Sequence, residues 1–382
     1  MIMHLLIDKG DSNAMVDYAN MFKKGEEIPV NIEEAIKYYK MAIDDGNLKA
    51  MVIYADMLKN GEGIPSNIEE AIKYYKMAID KGETDEISNY AIVSYANMLK
   101  DGEGIPVNFE EAIKYYRMAI ENGDCDAMNI SSIMNLGGNG VPVNYEEAAK
   151  YSKMAIDNGS EQAVFNYAFM QQFGLGVPVD IEEAIKYYKI AIENGNTTAM
   201  INCAKILKNG EGISANIEEA IKYYKMAIDK GNTDAMVNYA KILKNEEGIP
   251  ANIEEAIKYY KMAIDKNDSK AMVSYANMLK NGEGIPANIE EAVNYYQMAI
   301  NYGDVNALLI YAIMHLKGDG VPAAKEDAIE LIKIAVDEGD PTAIHIYDTL
   351  LENGNDFHVN KEEEIEYPKD KNEDAFVYRF YI

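Results

Sequence analysis

The chain has 382 residues, with 64 acidic against 36 basic side chains and a formal charge of −28. Such a charge repels a phosphate backbone and an anionic membrane surface alike, which argues against nucleic acid and lipid headgroups as partners. The two cysteines, Cys125 and Cys203, offer no disulfide framework and fit a reducing, cytoplasmic setting, and no stretch approaches the ~18 apolar residues that cross a bilayer.

The start, Met1 to Gly10, aligns with the last turn of a later helix such as Met41 to Gly46, so the first helix is expected to be cut in half, as in an incomplete gene model or an excised fragment. Beyond it one block returns. Its alanine falls at Ala35, Ala71, Ala112, Ala148, Ala184, Ala220, Ala256, Ala292 and Ala328, at intervals of 36 residues with a single interval of 41. A compact core stops growing near ~250 to 300 residues, so a period of this kind implies extension in one dimension, each copy resting on its neighbours. Function is then expected on a shared surface.

Within a copy, typified by residues 232–267, Ala235, Met236, Tyr239, Ala240 and Leu243 mark one apolar face of a first helix. The residue three before that alanine is Asp11, Asn47, Ser88, Asp124, Ser160, Asn196, Asn232, Asp268, Asp304 or Asp340, each able to cap the helix start. A Gly-rich turn such as Gly282-Glu283-Gly284-Ile285-Pro286 follows. It comes after a helix and lacks a Lys-Ser/Thr, so it reads as a tight turn and not as a phosphate cradle. The second helix starts at Asn252, with Glu255 expected to close a capping box and Glu254 to pair with Lys258. It buries Ala256, Ile257, Tyr260, Ala263 and Ile264. Gly231 and its equivalents end it, with Asn267 the one substitute, as a left-handed cap requires.

Paired tyrosines such as Tyr38-Tyr39 and Tyr223-Tyr224 are expected to pack between copies, one of each pair on the buried stripe. His4, His315, His345 and His358 have no metal-ligand spacing, and no nucleophile motif such as Gly-x-Ser-x-Gly occurs. No catalytic residue, cofactor or metal site is therefore expected, and the chain is read as not an enzyme.

Along the array, Glu83 to Ile87 is an insertion expected to protrude as an acidic loop. Copies four and five then diverge most in their first helices. At the position of Lys241, where most copies carry Asn20, Asp56, Asn97, Lys205 or Asn277, they carry Ile133 and Phe169. Phe165, Phe169 and Phe173 recur at helical spacing with Ile130 nearby, so these five residues are the expected protein-binding set, with Phe169→Lys expected to abolish partner capture without changing the fold. The competing reading is local packing that compensates for Ser131 and Ser152, which replace tyrosines. A second apolar run is Ile310, Ile313 and Leu316. Pro368 should stop the last helix, leaving the aromatic segment 367–382 as a non-repeat tail.

The period, the Gly-x-Gly-Ile/Val-Pro turn, the acidic helix start followed by alanine, the paired aromatics and the closing Ala-Ile-Asp-Lys-Gly-Asn together resemble the Sel-1-like repeat family over residues 1–366. The tetratricopeptide repeat has a shorter, 34-residue period. Tyr239-Ala240 and Tyr259-Tyr260 stand where the family often has Leu-Gly and Trp-Tyr. The resemblance implies an all-α, right-handed solenoid of about nine to ten antiparallel helix pairs, first helices on the concave side, acting as a scaffold or adaptor for protein or peptide partners. It also leaves open a regulatory or substrate-recruiting part of an enzyme, such as a kinase, whose catalytic domain lies upstream, and an adaptor in endoplasmic-reticulum degradation. A cysteine-rich subgroup linked to β-lactam binding carries one disulfide per repeat, a pattern these two cysteines do not match.

Overall fold

Short turns after each capped amphipathic segment force neighbouring helices to fold back on one another. In the computed structural model, residues 2–82 and 84–352 are described, and among them there are helices and no strand. The chain divides into two units, the first through Tyr187 and the second from Tyr188. In the first lie α1 (Ile2–Asp8), α2 (Ser12–Lys24), α3 (Ile32–Asp44), α4 (Leu48–Asn60), α5 (Ile68–Ile79), α6 (Glu86–Asp101), α7 (Phe109–Glu121), α8 (Cys125–Gly137), α9 (Tyr145–Asp157) and α10 (Glu161–Phe173). The boundary falls in α11 (Ile181–Glu193). The second holds α12 (Thr197–Asn209), α13 (Ile217–Asp229), α14 (Thr233–Asn245), α15 (Ile253–Ile264), α16 (Ser269–Asn281), α17 (Ile289–Asn301), α18 (Val305–Lys317), α19 (Lys325–Asp337) and α20 (Pro341–Glu352). From α2 on, even-numbered helices are the first of each pair.

Caps punctuate the array as expected. Asn232 Oδ1 accepts the Ala235 N–H at 2.8 Å, and Asp340 does the same for Ala343 at 2.8 Å ahead of Pro341, the first residue of α20. Such a cap stabilises a helix by about 1 kcal/mol. The second helices differ in one detail from the expected capping box. The Asn252 N–H donates to the Leu243 carbonyl at 2.8 Å, closing the turn, so Glu255 bonds the Asn252 side-chain Nδ2 at 3.0 Å instead. The same closure joins Asn67 to Leu58 and Asn288 to Leu279.

The expected Glu254–Lys258 ion pair is not formed. Lys258 Nζ lies 5.9 Å from the Tyr259 ring, and where this lysine column does pair, in Lys37–Glu34 at 3.4 Å and Lys186–Glu183 at 2.6 Å, it reaches the glutamate three residues back. The insertion is also not a free loop. Asp85, and not Ser88, caps α6, whose 16 residues include Glu86 and Ile87, and Ile87 rests on the core. Burying Ile87 favours the extra turn over an exposed loop. Ser88 is thereby buried, its Oγ without a partner among the described residues. Cys203 is buried, and Cys125 at the start of α8 is half-exposed.

Alanines such as Ala35, Ala42, Ala71 and Ala78 have no exposed surface, and they let paired helices approach closely enough to enclose Tyr39 and Tyr75. Ile310 and Ile313 are buried and Leu316 is packed against the terminal cluster of α18 to α20, so that apolar run is core and not surface. The segment around Pro368 and the 367–382 tail lie outside the described residues.

Neighbouring copies are locked at the second glycine of the turn. Gly104 has φ +69°, and a Cβ there would lie 2.7 Å from Cγ2 of Ile68, the first residue of α5 in the preceding copy; Gly63 meets Ile32 and Gly284 meets Ile253 in the same way. A lysine then clasps the next turn, as in Lys59–Glu103 at 2.9 Å and Lys244–Glu283 at 2.7 Å, half-exposed pairs contributing about 0 to 1 kcal/mol each. Gly104→Ala combines a left-handed backbone penalty of roughly 1 kcal/mol with an overpacking cost of about 1 to 3 kcal/mol. Gly123→Ala, at φ +84° with open space around it, carries only the first. Urea denaturation should therefore show the larger loss for Gly104→Ala, and equal losses would contradict the inter-copy lock.

Candidate protein-binding face in the fourth and fifth copies

The second tyrosine of each pair brings a hydroxyl into the core, and a buried hydroxyl needs a partner. The first helix supplies it nineteen residues earlier. Tyr39 donates to Asn20 Oδ1 at 2.8 Å, Tyr116 to Asn97 at 2.6 Å, Tyr296 to Asn277 at 2.6 Å, and Tyr75 to Asp56. In these copies the polar column that Ile133 and Phe169 interrupt is thus an acceptor column, whereas copies six and seven hold Lys205 and Lys241 there. This role was missed in the sequence, although the recurring spacing of nineteen between Asn or Asp and tyrosine was its signal.

Copy four has lost both the acceptor and the ring. Ser152 replaces the buried tyrosine, and its Oγ meets Ser132 Oγ at 2.7 Å, while Ser132 Oγ also donates to the Ala148 carbonyl at 2.8 Å. Two small hydroxyls that satisfy each other stand in place of one large side chain. In copy five, Tyr188 is still wholly buried, but its hydroxyl accepts from Asn202 Nδ2 at 3.4 Å, a residue of the following first helix.

Freed from the acceptor role, α10 carries a continuous aromatic ladder. Phe165 and Phe169 have ring centroids 6.5 Å apart, and Phe169 and Phe173 4.6 Å apart. Phe165 and Phe169 are half-buried and Phe173 is 38% exposed, so the ladder is partly self-packed and partly open to solvent. Ile133 on α8 is half-buried, and Ile130 is drawn against the N-terminal core cluster. Asn166 Nδ2 donates to Asn129 Oδ1 at 3.1 Å, tying α10 to α8 beside these residues. The three phenylalanines are therefore brought together, whereas Ile130 is chiefly a packing residue.

The ion clasp also lapses here. Leu136 and Leu175 occupy the positions of the lysine and the acid, and they join Met170 and Tyr167 in a small apolar cluster. Lys100 turns to its neighbour Asp101 at 2.7 Å.

Asp56 in copy two is a second departure. Its carboxylate accepts from Tyr75 and from Tyr90 at 3.3 Å, and burial pushes its pKa up despite those hydrogen bonds and the nearby Lys59. A raised folded-state pKa means that Asp56 costs stability at neutral pH, and that the cost fades as pH falls through the raised value toward the ordinary aspartate range. Asp56→Asn, the residue other copies use, should raise the melting temperature at pH 7, with the gain shrinking toward pH 3. A gain that grows on acidification would contradict this assignment.

Pairs of capped helices joined by a glycine turn and stacked on a 36-residue period define an α-solenoid. The sequence profile of the Sel1 repeat matches residues 12–47, 48–83, 89–124, 126–160, 161–196, 197–232, 233–268, 269–304 and 305–340, and the chain belongs to the Sel1 repeat family. Among solved structures it is similar to c5321, a protective antigen present in uropathogenic Escherichia coli strains displaying an SLR fold, at 20% identity over 91% of this chain and 81% of that one, with a TM-score of 0.72. It is similar also to a Sel1 repeat protein from Oxalobacter formigenes, at 20% identity over 80% of this chain and 87% of that one, with a TM-score of 0.63. At such identities the likeness is one of fold. A comparison with curated protein sequences finds no match.

Proposed function

We propose that this chain is a scaffold that binds a protein partner, with the phenylalanine ladder of α10 as the centre of the contact and Ile133 at its edge. Sel1-repeat solenoids commonly mediate protein–protein interaction. The observation that carries the reading is the aromatic stripe Phe165, Phe169 and Phe173, in which a partly exposed ring stands on a first helix most of whose equivalents are polar at the column of Phe169. Aromatic anchors of this kind dominate binding energy at interfaces. Among the described residues, no group of three or more His, Cys, Asp or Glu side chains could hold a metal, and no helix is long and apolar enough to cross a membrane. The unpaired Cys125 and Cys203 accord with a reducing, cytoplasmic setting for this role.

Phe173 gives a cleaner test than Phe169, because it is the more exposed ring and its loss leaves the Phe165–Phe169 contact in place. Affinity capture from the native cell should recover a protein with the wild type and lose it with Phe173→Lys, a loss of at least tenfold, while the melting temperature moves by no more than about 2 °C. Undiminished capture by Phe173→Lys would remove α10 from the contact.

A further inference from the structure

In most copies the first helix places a tyrosine in a cage walled by a second tyrosine and a lysine. Tyr54 packs edge-on against Tyr74 with centroids 5.1 Å apart, and Lys40 from the preceding second helix sits 5.4 Å from the Tyr54 centroid. Tyr95 meets Tyr115 at 4.9 Å under Lys76 at 4.9 Å, and Tyr239 meets Tyr259 at 5.0 Å under Lys225 at 5.2 Å.

Copy four keeps the cage and lacks the ring. Ser131 stands in the tyrosine column, Tyr151 in that of Tyr74, and Arg117 in that of Lys40, and all three line an open groove of about 540 Å³ between α7, α8 and α9. Ile113 forms its floor. Asn135, in a column that is leucine at Leu58, Leu99 and Leu243, adds a polar wall, with its Nδ2 held by the Ser131 carbonyl at 2.8 Å. Arg117 makes no ion pair or hydrogen bond with any other described residue. Copy six also lacks the ring, yet there Cys203 is wholly buried and Tyr223 sinks into the core, so a missing tyrosine does not by itself leave a groove. Serine and leucine-to-asparagine together keep this one open and wettable.

We infer that the groove between α7, α8 and α9 is a binding site for a tyrosine side chain presented by a protein partner, the ring packing edge-on against Tyr151 and its hydroxyl meeting the Arg117 guanidinium. The occupant is specified by the array itself, which fills the same cage with its own tyrosine in the other copies. Arginine suits the role better than lysine, since a planar guanidinium both stacks on a ring and donates to a phenol oxygen. The inference rests on the reading of the chain as a protein-binding scaffold, but the groove lies roughly 200° around α8 from Ile133, on a different side from the proposed ladder contact.

The test uses the full chain and two probe peptides, Ac-Gly-Tyr-Gly-NH2 and Ac-Gly-Leu-Gly-NH2, followed by amide chemical shifts. The tyrosine peptide should move resonances of α7 to α9 and the leucine peptide should not. Ser131→Tyr, which restores the residue of the other copies, should raise the melting temperature and weaken the tyrosine peptide at least tenfold, and Arg117→Gln should weaken it severalfold. Equal binding of the two peptides, or undiminished binding to Ser131→Tyr, would overturn the site. Partner capture that fails in Phe173→Lys but survives Ser131→Tyr would also overturn it, while leaving the ladder contact intact.

Discussion

The enclosure of a whole tyrosine between the two helices of most pairs is the constraint from which the rest follows. Tyr39, Tyr75, Tyr116, Tyr224, Tyr260 and Tyr296 have no more than 1% of their surface exposed. Burying so large a ring requires alanine opposite it, so that the backbones can close, and a hydrogen-bond partner for its hydroxyl, so that the oxygen is not stranded. Those two demands fix the alanine columns and, for Tyr39, Tyr75, Tyr116 and Tyr296, the Asn or Asp nineteen residues before the ring. The glycine turn is a further consequence. Only a residue without a Cβ lets the turn of one copy come against the first side chain of the preceding second helix, as Gly104 does against Ile68.

Departures from this pattern are therefore informative in proportion to what they release. Copy four gives up the buried ring for the Ser132–Ser152 pair, gives up the caged tyrosine for Ser131, and gives up the lysine clasp for Leu136. Copy five turns its acceptor into Phe169 and extends it on both sides with Phe165 and Phe173. Each change removes a polar or aromatic element that elsewhere serves the stack, and at Ser131 and Phe173 open volume or exposed apolar surface stands in its place. Stability is given up locally where the surface gains something to recognise, as is common at functional sites.

The fold was legible because its signals are local and repeated ten times over. Asn232 and Asp340 announce helix starts by side-chain chemistry alone, and Gly231 with Asn267 announces helix ends by the one backbone region that both tolerate. What escaped the sequence depends on pairing across helices. An acidic insertion reads as a loop until Ile87 is seen to gain burial by extending α6, and Glu254 with Lys258 reads as a pair until the lysine Nζ is found over the Tyr259 ring. The run Ile310, Ile313 and Leu316 reads as surface until α19 and α20 close over it. For the candidate face, the phenylalanine ladder was visible as a spacing, whereas the groove at Ser131 was not, because a missing ring becomes a cavity only when the cage around it persists.

The central claim is that recognition is concentrated where the copies depart from the shared pattern. Hydrogen–deuterium exchange of the full chain with and without its bound partner tests this most directly. The account predicts protection confined to α7, α8, α9 and α10 and the turns between them, with the near-identical copies around α13 to α16 unchanged. Protection centred on those regular copies, with α8 to α10 exchanging as in the free chain, would contradict it.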